Sequence, residues 1–138
     1  LVFVPRAAAA CGRMEAQLYR FPGAGDENER CLMIDLAVGD KRLLVTADAP
    51  KEQERALCEM ADLEDTDILI VGHHGSKYAS SEELLREVGG GIAVVSAGYN
   101  TFGHPAPETL DRLAAYGYQV LRTDVNGTVE IHLEREHG

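Results

Sequence analysis

The chain has 138 residues, 45% of them apolar and 26% charged, with 23 acidic against 13 basic side chains and a net charge of −10. One domain of this length can bury roughly two-thirds of its unfolded surface. The acidity excludes the basic stripe of an extended nucleic-acid groove, so any nucleic-acid substrate would be gripped mainly from elsewhere.

No stretch has the apolar length of a membrane span, and the start carries no signal-peptide pattern. The fragment is therefore expected to be soluble. The opening Leu1-Val2-Phe3-Val4-Pro5 reads as an internal strand without an initiator Met, which suggests an excised domain. Three widely spaced cysteines (Cys11, Cys31 and Cys58) include no Cys-x-x-Cys pair, which argues against a disulfide framework and against a zinc ribbon.

Residues 14 to 21 alternate apolar and polar side chains and predict a half-buried strand. A polar loop follows from Pro22 to Arg30. Cys31 to Val38 and Arg42 to Thr46 predict a hairpin across Gly39-Asp40. Pro50 to Ala61 predicts a helix with Pro in its first turn and Leu57, Met60 and Ala61 on one face. The apolar run Ile68-Leu69-Ile70-Val71 predicts a buried strand. Ser80-x-x-Glu83 has the form of a capping box opening a helix through Val88, and Gly89-Gly90-Gly91 ends it. Ile92 to Ser96 is a second buried strand. Pro105 or Pro107 opens another helix, with Leu110, Leu113 and Ala114 inward and Gly117 as its stop. Tyr118 to Arg122 and Thr128 to Leu133 predict strands joined at Asn126-Gly127. The expected class is mixed α/β (α+β), with helices packed on a mixed sheet.

Three strand ends carry the chemistry. Asp48 follows the Leu43-Leu44-Val45-Thr46 strand, His73 and His74 follow Val71, and His104 follows the strand at Ile92 and a short loop. Open α/β sheets place their sites at the carboxyl ends of strands. Asp and His together suit zinc, manganese or iron rather than calcium. Each residue also has a plainer role. Asp48 precedes a helix and would serve as its N-cap. His73 and His74 sit between Gly72 and Gly75 in what could be a surface turn. Ser76 could orient an imidazole or bind a phosphate oxygen, but no Gly-x-Ser-x-Gly elbow marks it as a nucleophile. His104 could be a loop residue that caps the following helix, and Asn100 and Thr101 are either its hydrogen-bonding neighbours or simple turn residues. His132 alternates onto a solvent face and His137 lies in the charged tail, so both read as inert. Tyr99 and Phe102 read as packing groups.

The ordered set Leu-Leu-x-Thr-x-Asp, Val-Gly-His-His-Gly-Ser, Ser-x-Gly-Tyr-Asn-x-x-Gly-His-Pro-x-Pro-Glu and Arg-Thr-Asp-x-Asn-Gly resembles the metallo-β-lactamase-like domain of the ComEC/Rec2 DNA-internalisation competence proteins. The resemblance runs from about Leu32 to Leu133. It implies an αββα sandwich of which this chain is the carboxyl-terminal half. It further implies a bacterial, metal-dependent hydrolase of phosphodiesters (a nuclease) with two divalent ions, zinc or manganese. On that likeness Asp48 bridges the metals and His104 is the closing ligand, while His73 and His74 contact the scissile phosphate. The implied partners are DNA and the rest of a competence protein in the bacterial cytoplasmic membrane.

Two departures stand out. Ala47-Asp48 replaces the family's usual Gly-Asp, and the motif His-x-His-x-Asp-His is absent. The fragment alone is therefore expected to hold little or no metal, to be inactive, and to pair as a homodimer through apolar surface, which light scattering would read. A small-substrate phosphodiesterase or esterase and a non-catalytic assembly module are the alternatives on the same scaffold.

Overall fold

The computed structural model describes residues 6–21, 31–100 and 102–133. The expected strand at the first five residues, the 22–30 loop, Thr101 and His137 lie outside them.

One seven-stranded sheet runs in sequence order: β1 (Arg6–Cys11), β2 (Met14–Tyr19), β3 (Met33–Val38), β4 (Lys41–Val45), β5 (Ile68–Ile70), β6 (Gly91–Val95) and β7 (Tyr118–Arg122). The first four strands are antiparallel neighbours and the last four are parallel. Each parallel connection needs a crossover, supplied by α1 (Lys51–Met60), α2 (Glu82–Val88) and α3 (Pro107–Ala115). A single helical turn, α4 (Thr123–Asn126), follows β7. The mixed α/β sheet with packed helices is thus as the residue pattern predicts.

Leu44, Leu69 and Ala93 stand in register across β4, β5 and β6, so they share one face of the sheet. They join Leu57, Leu84, Leu85 and Leu113 from the helices in one core. The opposite face is also apolar. Leu43, Ile68 and Ile92 form one row across it, and Val45, Ile70, Val94 and Leu121 form another. Ile68 and Val94 are buried yet stand outside that core.

Several local expectations differ. β1 is an alanine-rich edge strand that the residue pattern does not mark, because alanine carries little strand preference. The cap of α2 is Ser81, whose hydroxyl accepts the N–H of Leu84, while Ser80 adopts a left-handed conformation one residue earlier. On α1 the buried residues are Gln53, Glu54 and Leu57, and Met60 is exposed. On α3 Thr109 and Leu113 turn inward while Ala114 is exposed. Thr128 to Leu133 form no strand. The Asn126 side chain accepts the N–H of Arg122 at 2.9 Å, and the Arg122–Asp124 ion pair at 2.7 Å closes the same turn. The chain thereby folds back on the end of β7 instead of pairing with it.

Candidate functional site

Because β4, β5 and β6 are parallel neighbours, their carboxyl ends open on one edge of the sheet. Hydrogen bonds tie the three ends together. The N–H of His73 donates to the Ala47 carbonyl at 2.8 Å, joining the turn after β5 to the end of β4. The His74 Nδ1 lies 2.7 Å from the Ser96 carbonyl just beyond β6. A carbonyl only accepts, so Nδ1 carries the proton, and in the neutral ring Nε2 keeps its lone pair.

The turn Gly72–Gly75 explains why two histidines need glycine neighbours. A Cβ on Gly72 would lie 2.8 Å from the Thr46 hydroxyl oxygen and 3.1 Å from the Ala47 carbonyl, so only glycine lets the turn sit against β4. Between the glycines, His73 and His74 both adopt left-handed backbone (φ 50° and 53°). That conformation costs an L-residue about 1–2 kcal/mol and tends to persist at sites where the surroundings enforce it. It sends successive imidazoles different ways: His74 to Ser96, and His73 toward His104, with ring centroids 5.8 Å apart at 70°.

His104 is held by its backbone. The Asn100 amide donates to the His104 carbonyl at 2.7 Å, and its oxygen accepts the N–H groups of His104 at 3.0 Å and Phe102 at 3.1 Å. The sequence pattern leaves Asn100 between turn residue and hydrogen-bonding neighbour of His104; in the structure it is the clamp of this loop. An Asx residue three positions before a glycine-histidine pair is the available signal. The next residue, Pro105, packs on Gly75.

Behind the turn, Ser76 is buried; its hydroxyl accepts the N–H of Tyr78 and its carbonyl accepts the Thr109 hydroxyl. Glu54, also buried, accepts the N–H groups of Ser80 at 2.7 Å and Ser81 at 2.8 Å. Burial pushes its carboxyl above the ordinary value, opposed by those two N–H donors. Arg112 donates to the carbonyls of Ala79 and Ser80. The segment after the histidines is thus fastened from both sides, by residues no motif would single out.

Asp48 is half-buried on the same edge. Helix α1 begins after Pro50 and carries no side-chain cap bond, so the capping role does not apply to Asp48. Its backbone N–H and its carboxylate both act on the Cys31 thiol. Burial raises that thiol's pKa, the Asp48 N–H opposes the rise, and the Asp48 carboxylate adds to it. His132 is exposed and pairs with Glu130.

The edge encloses an open cleft of about 440 Å³, walled by His73, Ser76 and Tyr78 on one segment and by Phe102, His104 and Glu108 on the other. Among the described residues no three His, Cys, Asp or Glu side chains come together as a metal ion requires. No helix among them is long and apolar enough to cross a membrane.

No family model matches the chain. Similar proteins include ComE operon protein 3 of Bacillus subtilis, 32% identical over 118 residues, covering 85% of this chain and 15% of that protein. Competence protein ComA of Neisseria gonorrhoeae is 34% identical over 112 residues (80% of this chain, 16% of that protein). Recombination protein 2 of Haemophilus influenzae is 33% identical over 108 residues (78% and 13%). The chain therefore spans about 15% of the length of these curated relatives.

Proposed function

This chain is homologous to one segment of the ComEC/Rec2 competence proteins, and from that premise we propose that it forms part of a metal-dependent phosphodiester hydrolase domain serving DNA uptake. Its partners are then DNA and the remainder of a competence protein in the bacterial cytoplasmic membrane. The names of these relatives support the competence role. The hydrolase reading rests chiefly on one observation: His73 and His104 face each other at 5.8 Å in a cleft at the carboxyl edge of the sheet.

The proposed fold is the carboxyl-terminal half of a metallo-β-lactamase-like αββα sandwich. Helices cover one face of the sheet, and the rows of Leu43 and Val45 make the other face apolar. Apolar rows of this kind favour a cover, which the rest of the protein supplies, or a second copy where the chain is alone.

The donors fit zinc or manganese in type, with Asp48 and His104 as the metal-holding pair, but not in number. The remaining ligands of two divalent ions would come from other parts of the protein. When bound, such ions supply hydroxide and neutralise phosphate charge. The chain's own contribution is separate. His73 offers an N–H group to a non-bridging phosphate oxygen and can protonate the leaving oxygen. His74, fixed by Ser96, presents Nε2 as an acceptor. Ser76 keeps the turn in shape through its bonds to Tyr78 and Thr109.

The cleft volume of about 440 Å³ suits a single nucleotide-sized ligand, which favours a small phosphodiester as the second reading. Incubating the full-length natural protein with manganese and either single-stranded DNA or a small diester separates the two. Cleavage of DNA supports the nuclease, turnover of the diester alone supports the second reading, and neither activity leaves only an assembly module.

A further inference from the structure

Large aromatic side chains in a folded domain usually turn inward or find a partner. On this cleft and the loop beside it they stay exposed. Tyr78 is 69% exposed, Phe102 81% and Tyr99 100%. Tyr78 and Phe102 stand one on each segment that walls the cleft. Phe102 also continues inward, its ring 6.1 Å from that of His104 and tilted by 31°, while His104 meets His73 edge-on. The Lys77 ammonium lies 5.2 Å from the centre of the Tyr78 ring and lines the same cleft. An aromatic lip, an imidazole pair and one cation therefore lie side by side.

We infer that Phe102 and Tyr78 are stacking platforms for the bases of a single-stranded nucleic acid whose phosphate lies between His73 and His104. The inference rests on the phosphodiester reading and adds the form of the substrate. Stacking on a side chain requires a free base face, which a single strand offers and an intact duplex withholds. Phe102 beside His104 lets one nucleotide place its base on the phenyl ring and its phosphate against the imidazoles. Lys77, held over one face of Tyr78, is the cation placed for an adjoining phosphate.

The charge of the chain fits this division of labour. With a net charge of −10 and Glu108 on the same cleft, phosphate attraction is weak and stacking carries the affinity. Binding should then depend only weakly on salt. One phosphate neutralised by Lys77 corresponds to a log–log slope of about −0.7.

The test uses this chain and a single-stranded oligodeoxynucleotide carrying 2-aminopurine, whose fluorescence falls when the base stacks. Wild type should quench it at low ionic strength, and a blunt duplex of the same sequence should bind far more weakly. Phe102→Ala should weaken binding about tenfold or more, as expected for the loss of one stacked base. Phe102→Tyr should retain it. Phe102 is exposed, so these variants should melt with wild type. Phe102→Leu keeps apolar bulk without a π-face and should behave like alanine. An absence of quenching, duplex binding equal to single-strand binding, or wild-type affinity in the Ala or Leu variant would overturn the inference. Hydrolysis is read separately, as turnover of a small phosphodiester by the full-length protein. Stacking without turnover would remove the hydrolase reading alone, whereas turnover without stacking would remove only this one.

Discussion

A Cβ added to Gly75 would lie 2.6 Å from the Cβ of Pro105 and 2.9 Å from its Cα. The histidine turn and the His104 loop thus meet through a glycine–proline contact, reinforced by the Ala106 N–H donating to the Gly75 carbonyl at 2.9 Å. Gly75 also has φ +83°. Gly75→Ala should therefore destabilise the chain by about 2–4 kcal/mol, adding left-handed strain to overpacking. Chemical denaturation checks this, and the His73 and His104 ring resonances should move as the two loops part.

Ala47 has the opposite problem. It sits at φ +52°, a region glycine occupies without cost. This is the position where the chain departs from the Gly-Asp usual in the family, so the extra methyl is accommodated by strain. Ala47→Gly should raise stability by a few tenths to about 1 kcal/mol, the relief of strain being partly offset by a more flexible unfolded chain. A fall of similar size would show that the strain is not borne at this residue.

Asn100→Asp keeps the acceptor for the His104 and Phe102 N–H groups but loses the donor to the His104 and Gly98 carbonyls. Each lost bond is worth about 1 kcal/mol locally, on a loop that contributes little to the core. The melting temperature should fall only slightly. Hydrogen exchange at the backbone N–H of His104 should quicken severalfold, and unchanged protection would remove Asn100 from its clamping role.

How much of this was legible beforehand differs from element to element. The apolar run before Val71 and the Gly39-Asp40 turn announced β5 and the β3–β4 hairpin, because burial and turn chemistry leave local marks. Asp48, His73, His74 and His104 at one edge followed from strand order, since parallel neighbours end on the same side. The pairing of His73 with His104 did not follow. Two consecutive left-handed residues break any periodicity, so the direction of each imidazole depends on contacts with Ala47 and Ser96. Thr128 to Leu133 failed as a strand for a related reason: its alternation was real, but the Arg122 N–H was already taken by Asn126. Tyr99 and Phe102 read as packing groups because aromatic residues usually are, yet both are exposed.

Glu54 gives a pH dependence. Its folded-state pKa is raised by burial from the ordinary 4.5. The folded chain therefore keeps a proton that the unfolded chain releases above about pH 4.5. The stability this contributes is complete below that pH and is lost as pH rises through the folded-state value. Relative to Glu54→Gln, the wild type should lose stability on going from pH 4.5 toward neutrality. Denaturation curves that stay parallel across this range would contradict the assignment.

The central claim is that the strand-end cleft works on a phosphodiester. Its most direct test is turnover of bis(p-nitrophenyl) phosphate by the full-length natural protein, with added manganese or zinc, beside its His104→Ala and His132→Ala variants. The account predicts metal-dependent turnover that falls about 10²- to 10⁴-fold in His104→Ala and is unchanged in His132→Ala, where the side chain is exposed and pairs with Glu130. Wild-type protein without metal-dependent turnover, or equal rates in wild type and His104→Ala, would contradict it.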